Sequence, residues 1–227
     1  MNNINSIKDS IVGKKISVLG SGISGQGAAS LAHHLGAIVL LSDNTKTNNL
    51  NLISDKIEIE FKHTSRCLDS DLVIISPGID PSTSDIVKKI INDKIPIVSE
   101  IEFGFWMTNS PIIAITGSNG KSTVVELVNS IFKKKYNNVI LGGNIGISFC
   151  MNIYKELKSG LKSIHILELS SFQLQNIHDF KPQLSCILNI TRDHIKRHGN
   201  FENYCSDKLK IVKNSDKKSY IVFNQDD

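Results

Sequence analysis

Cysteine is scarce and dispersed. Cys67, Cys150, Cys186 and Cys205 are the four in 227 residues, and none stands in a CxxC pair. That scatter excludes a disulfide framework and offers no zinc-ligand pair, so the thiols read as reduced and cytosolic. Long apolar runs are lacking too: residues 1–15 hold no hydrophobic stretch of a signal peptide, and nothing elsewhere approaches the roughly 20 apolar residues that span a bilayer. The expectation is a cytoplasmic protein with no membrane partner. A charge excess is also missing, since 26 Lys and Arg against 22 Asp and Glu leave a net charge of +4. This suits an anionic nucleotide ligand but falls short of the concentrated basic face of a nucleic-acid binder. Lys133, Lys134 and Lys135 read as a solvated helix end. With 40% hydrophobic and 21% charged residues the chain is of ordinary globular composition, long enough for one large or two small domains.

The most informative stretch begins at Pro111. Four apolar residues, Ile112, Ile113, Ala114 and Ile115, predict a buried strand running into Thr116 and Gly117, with a helix starting at Ser122. A strand, a glycine turn and a helix start make a phosphate site, because the glycines bring bare N–H groups to an anion and the helix N-terminus adds unpaired donors. Gly117, Ser118, Asn119, Gly120, Lys121, Ser122 and Thr123 are therefore the candidate nucleotide-binding set. Lys121 would reach the outer phosphates, and Ser122 or Thr123 would place a hydroxyl on a magnesium ion. The usual GxxxxGK[ST] pattern needs glycine at position 115, where this chain has Ile115, so the loop is the shortened form TGxxGK[ST].

Upstream, a strand over residues 16–19 leads into Gly20, Ser21, Gly22, Ile23, Ser24 and Gly25, which match GxGxxG and precede a helical pattern through Leu35. A strand over 37–41 and then Asp43 follow, close to where a dinucleotide fold places its ribose carboxylate. That loop serves a dinucleotide, another phosphorylated ligand or a structural turn equally well; an NAD-dependent oxidoreductase rests on it alone. After a strand over 57–61, the run Leu72, Val73, Ile74, Ile75 ends in Ser76, Pro77, Gly78 and Ile79, a rigid turn at the ligand edge of a sheet. A helix over 84–92, a strand over 95–98 and a segment over 100–107 complete this unit, with Phe103, Phe105 and Trp106 in core or interdomain packing. The boundary falls at 108–111.

Beyond the phosphate loop, a helix over 122–134 carries Val124, Val125, Leu127, Val128, Ile131 and Phe132 as a core-facing stripe. A strand over 139–141 enters Gly142, Gly143, Asn144, Ile145 and Gly146, which exposes the Asn144 amide beside the cleft. A strand over 164–167 ends in Glu168, where a magnesium ligand belongs, since the metal must bridge protein and phosphate oxygens. A strand over 185–190 delivers Asn189, then Asp193 and His194, a second cation site or a structural pair. A helix after Asn200 carries Tyr204 and Lys208, and a strand over 220–223 closes the pattern. The fold class is α/β: a Rossmann-like parallel-sheet domain over 1–108, then a phosphate-loop domain over 109–227, which the resemblance set out next makes ATP-binding.

TGSNGKST, GGNIG, LELSSFQL, ILNITRDH and the Lys208 segment, in that order and joined by SPGI and the first glycine loop, resemble the Mur ligase family, of the type that adds D-glutamate, over about residues 13–227. The resemblance implies a P-loop Mur-ligase central domain, ATP and Mg2+ as cofactors, and UDP-N-acetylmuramoyl-L-alanine and D-glutamate as partners in peptidoglycan precursor synthesis by a monomer. It gives the first domain to the UDP part of the substrate rather than to NAD, with Ser24, Asp43, Ser76 and Gly78 nearby. Asn144 would contact the muramoyl substrate and Lys121 the ATP phosphates. Ser122 and Glu168 would hold a first magnesium and His194 a second, while Lys208 would be carbamylated into an anionic metal ligand. Lys121, Asn144, His194 and Lys208 are thus the catalytic set. Lys196 departs from the family's HxDR pattern, and Asn44 replaces a frequent Thr. Relatives run past the position of Asp227, so the expectation is an incomplete chain that binds the UDP substrate and turns over poorly. A non-catalytic nucleotide-binding module is the alternative.

Overall fold

A computed structural model describes residues 7, 8, 10–46 and 50–226. The outer limits of the two expected domains, 1 and 227, lie outside the described residues. Ten strands form two five-stranded sheets among the described residues. The first holds β1 (Lys15–Leu19), β2 (Ile38–Asp43), β3 (Glu58–Phe61), β4 (Leu72–Ile75) and β5 (Ile97–Ser99) in the order β3-β2-β1-β4-β5. The second holds β6 (Ile112–Thr116), β7 (Val139–Gly143), β8 (Ile164–Glu168), β9 (Leu184–Ile187) and β10 (Tyr220–Phe223) in the order β10-β9-β6-β8-β7. Every pairing is parallel. In each sheet the chain reverses its direction of growth beside the first strand, and ligands of open parallel sheets bind at such a point, outside the strand C-termini.

The helices are α1 (Ile23–His34), α2 (Asp85–Asn92), α3 (Glu100–Trp106), α4 (Lys121–Lys133), α5 (Phe149–Ser159), α6 (Ser171–Leu174), α7 (Ile195–His198) and α8 (Phe201–Leu209). Strand side chains alternate faces, so a parallel strand buried on both sides reads as a continuous apolar run. Accordingly Leu72 and Ile74 of β4 join one core while Val73 and Ile75 join another with Ile86, Val87 and Ile90 of α2. On β6, Ile112 and Ala114 face that first core, whereas Ile113 and Ile115 face Val125 of α4. One apolar core therefore lies between the two sheets, filled by α1, α3 and α5. Its fully buried Phe103 and Phe149 each contribute roughly 1.5–3 kcal/mol of transfer free energy. Gly27 keeps α1 close to α5, since a Cβ there would stand 1.9 Å from Ser148 Oγ.

Two expectations change. Helix α5 was not anticipated, although Ser148 caps it by accepting from Met151 N at 3.3 Å and Phe149, Cys150 and Ile153 form its buried side. The α4 stripe is narrower than expected: Val125 is buried, but Leu127 and Ile131 are 59% and 55% exposed. At about 100° per residue Leu127 turns roughly 160° and Ile131 roughly 120° away from Val125, so neither faces the core that Val125 joins. Strand β10 pairs only with β9, and its four residues are exposed. No helix among the described residues is long and apolar enough to cross a membrane.

Helix α3 joins the sheets through two buried carboxyl groups. Glu100 Oε1 accepts from Cys150 N at 2.5 Å, at the start of α5. Glu102 accepts from His178 N at 2.9 Å, Asp179 N at 2.8 Å and Phe180 N at 3.0 Å, and from its own helix's Trp106 Nε1 at 2.6 Å. Ser99 caps α3 by accepting from Glu102 N at 3.2 Å. The Glu102 side chain is thereby left free to organise the distant turn. Replacing Glu102 by Ala strands the buried Phe180 N–H and leaves the part-buried N–H groups of His178 and Asp179 to solvent, and we expect a loss of roughly 1–3 kcal/mol. The Gln variant, which keeps an acceptor oxygen, loses less; urea midpoints compare the two.

Candidate functional site

Ser24, Asp43, Ser76 and Gly78 line one cleft of about 440 Å3 at the C-terminal edge of the first sheet. The register explains the meeting: Leu19 pairs with both Ser42 and Ile75, so the loops after β1, β2 and β4 emerge side by side. Ser76 Oγ donates to Gly20 O at 3.2 Å and ties two of those loops. Asp43 is more committed than a free ribose ligand would be. Its Oδ2 accepts from Ser21 Oγ at 2.7 Å and its Oδ1 from Thr45 N and Oγ1 at 3.0 Å each. Burial works to raise its pKa, but the Thr45 and Ser21 donors outweigh it and hold the carboxyl at about 2.

The second candidate site is built on the glycine loop between β6 and α4. Gly120 takes the left-handed conformation at φ 79° that begins α4, which disfavours any residue with a Cβ. Ile115 pairs with Glu168 and Thr116 with Ile187, so the loop emerges between the ends of β8 and β9. From β8, Glu168 Oε2 accepts from Ser122 Oγ at 2.7 Å and Oε1 from Asn144 Nδ2 at 2.8 Å. A capping box fixes the turn behind it, with Ser170 Oγ accepting from Gln173 N and Gln173 Oε1 from Ser170 N. From β9, Asn189 Oδ1 accepts from Asn119 N at 2.9 Å and Asn189 Nδ2 donates to Asn119 O at 3.1 Å.

Two lysines converge on one carbonyl. Lys121 Nζ donates to Gly117 O and Ser118 O at 2.9 Å each, and Lys208 Nζ, from α8, donates to Gly117 O at 2.7 Å. Lys208 is only 2% exposed. Burial first, and then the Lys121 charge, lowers its ammonium to about 8 against the pull of Asp193 and Cys205. Two cations and a helix N-terminus at one loop make a strongly anion-attracting place.

Lys121, Ser122, Asn144, Glu168 and Lys208 are thus gathered at the loop. His194 stands apart from their hydrogen bonds: it is exposed, its ring lies 5.1 Å from Phe172, and its Nε2 is 3.4 Å from Asp193. Thr123 is exposed in the first turn of α4. No three His, Cys, Asp or Glu side chains gather as a metal cage among the described residues. Magnesium needs less, one or two protein oxygens with phosphate and water for the rest. Ser122 Oγ and Glu168 Oε2 are such hard donors, and they fit.

Sequence reasoning assigned no role to three residues at or beside these sites. Tyr204 OH is 2.7 Å from Ser118 Oγ and its ring lies beneath Lys208 Nζ at 4.8 Å. Arg197 of α7 reaches across to the first sheet, donating to the carbonyls of Pro77 and Ile79, with Nε 3.4 Å from Asp80 and the guanidinium over Phe172 at 4.8 Å. His63 lines the first cleft. Nothing local marks any of the three, because each acts on a partner distant in sequence.

Comparison with known proteins identifies relatives of this chain. The Mur ligase middle domain family matches residues 115–227. A curated relative from Christiangramia forsetii, named UDP-N-acetylmuramoylalanine–D-glutamate ligase, is 42% identical over 95% of this chain and 49% of its own length. One of the same name from Thermoanaerobacter pseudethanolicus is 40% identical over 95% of this chain and 48% of its own. The chain spans about half the length of the curated relatives it matches. Among solved structures, the MurF ligase of Thermotoga maritima in complex with ADP aligns with 97% of this chain and 45% of its own at 18% identity, with a TM-score of 0.46.

The burial of Lys208 has a measurable consequence. Its pKa of about 8 in the folded chain against 10.5 unfolded means that the unfolded state binds more protons between those values, so stability rises with pH across that window. Carbon-13 NMR of labelled lysine should show one side chain titrating near pH 8, absent in Lys208→Met. The same variant should lose that part of the pH dependence in urea unfolding.

Proposed function

The chain belongs to the Mur ligase family, and from that membership we propose that its two candidate sites are the UDP-substrate site and the ATP site of a ligase joining D-glutamate to UDP-N-acetylmuramoyl-L-alanine. The unit over 1–108 would hold the uridine diphosphate part and the unit over 109–227 the nucleotide that drives the reaction, in a cytoplasmic monomer. What carries the reading is the convergence of Lys121, Ser122, Glu168 and Asn144 on one loop, with hydrogen bonds of 2.7–2.9 Å among them and the loop.

The chemistry follows from an unreactive partner. A carboxylate resists an amine because it is anionic and has no leaving group. In the proposed reaction an oxygen of the alanyl carboxylate attacks the γ-phosphorus of ATP, the bond to ADP breaks, and an acyl phosphate forms. The amino nitrogen of D-glutamate then attacks the carbonyl carbon and sheds a proton, while phosphate leaves with the C–O electrons. Lys121 and the α4 N-terminus would hold the phosphoryl oxygens and spread their charge, the main requirement in such transfers. Asn144, fixed by Glu168, would orient the muramoyl substrate. Mg2+ held by Ser122 and Glu168 supplies further neutralisation of the phosphates, with His194 proposed for a second ion. Lys208, with a pKa of about 8, has a substantial neutral fraction at mildly alkaline pH, the form that takes up carbon dioxide as a carbamate.

Titration calorimetry with UDP-N-acetylmuramoyl-L-alanine and with MgATP should detect both ligands on the same chain. Lys121→Ala should weaken MgATP about tenfold or more and leave the UDP substrate within about twofold, because the lysine serves only the second site. Binding of NADH with no binding of uridine nucleotides sinks the proposal. Phosphate release on adding D-glutamate reports whether the chain completes the reaction.

A further inference from the structure

Outside the residues already assigned, one side chain in the first cleft has its hydrogen-bonding character fixed by neighbours that do not face the cleft. His63 borders both the cleft shared with Asp43 and Gly78 and the cavity adjoining it. Its Nδ1 lies 2.8 Å from the hydroxyl of Ser42, a fully buried residue of β2. That same hydroxyl donates to Glu60 Oε1 at 2.7 Å. Glu60 also accepts from Thr64 N at 3.1 Å and Thr64 Oγ1 at 2.7 Å. Burial would raise the Glu60 carboxyl, but these donors outweigh it and keep it low, so it has no proton to give.

Donor counting then settles the tautomer. A serine hydroxyl has one hydrogen, and here it is committed to Glu60. The contact with His63 therefore requires the imidazole to donate from Nδ1. Burial lowers the pKa of His63 against the charges of Asp43 and Glu60, which favours the neutral ring. Its other nitrogen, across the ring from Ser42, is left as a lone-pair acceptor on a residue that lines both cavities.

The geometry points to His63 as a specificity residue of this cleft, whose Nε2 accepts a hydrogen bond from an N–H or O–H of the bound nucleotide, either the imide N–H of a uracil-type base or a ribose hydroxyl. This rests on the reading of the first cleft as a uridine-nucleotide site. A bare acceptor favours a ligand that offers a hydrogen there and meets a lone pair unfavourably, so a base with an unprotonated ring nitrogen at that position is disfavoured.

Titration calorimetry at pH 8 with uridine diphosphate, cytidine diphosphate and 2′-deoxyuridine diphosphate tests this on the full chain, with a thermal melt for each variant. The unmodified protein should bind uridine diphosphate about tenfold or more tighter than the analogue lacking the donor. His63→Ala should weaken uridine diphosphate by a similar factor and leave that analogue within about twofold, while His63→Gln, whose amide oxygen can accept, should keep part of the preference. A penalty confined to cytidine diphosphate identifies the imide as donor, and one confined to the deoxy compound identifies the hydroxyl. Equal affinity for all three nucleotides, or an equal loss of all three in a variant that melts normally, overturns the role of His63. Should His63→Ala melt early, His63→Gln decides by the same ratio. Absence of any uridine diphosphate binding to the unmodified protein would overturn the reading of the cleft itself, a distinct result.

Discussion

Two carboxyl groups on the seven-residue helix α3 fix how the sheets stand to one another. Glu102 gathers three successive backbone N–H groups of residues 178–180, and Glu100 receives the N–H of Cys150. A buried carboxylate needs donors to replace its lost water, which Glu102 has on both oxygens, whereas Glu100 Oε2 has no hydrogen-bond partner. Burial accordingly pushes Glu100 up to about 7 despite its Cys150 partner. The two sites lie at the strand ends of different sheets, and their separation follows from this junction and from the core of α1, α3 and α5 around it. Arg197 adds a tie at the open edge, between the turn after β4 and the Phe172 ring behind Glu168.

The phosphate loop shows how charge is managed in a small volume. Lys121 and Lys208 share the carbonyl of Gly117, and their mutual repulsion adds to burial in lowering Lys208. Glu168 lies close by, held by the Ser122 hydroxyl and the Asn144 amide. Cationic groups and neutral donors that converge on one turn leave the loop short of negative charge, which a polyphosphate would supply.

Much of this was legible in the residues. The apolar runs at β1, β4, β6 and β8 ended where the structure ends them to within two residues, because buried parallel strands are marked by continuous apolarity and their ends by glycine or a polar side chain. Ser24, Asp43, Ser76 and Gly78 do line one cleft. The uncertain elements were those whose pattern is weak or shared. Ser99 and Glu102 have the spacing of a local helix cap, yet the Glu102 carboxyl turns to a loop more than 70 residues away. Likewise α5 carries its apolar residues among polar ones and follows a glycine-rich turn, which hid it. The exposed Leu127 and Ile131 counted as core only because apolarity was read without its angle around the helix.

By itself the sequence determined what depends on neighbours along the chain: the α/β class, the glycine turns at strand ends, the lysine and hydroxyl that follow Gly120, and the family. Only the tertiary structure decided what depends on groups far apart in sequence. It brought Lys208 beside Lys121 at the Gly117 carbonyl, set the junction at Glu100 and Glu102, and joined Glu60, Ser42 and His63 into a chain of hydrogen bonds. The reason is that a motif records local backbone requirements, whereas burial, proton sharing and charge repulsion are properties of the neighbours that packing supplies.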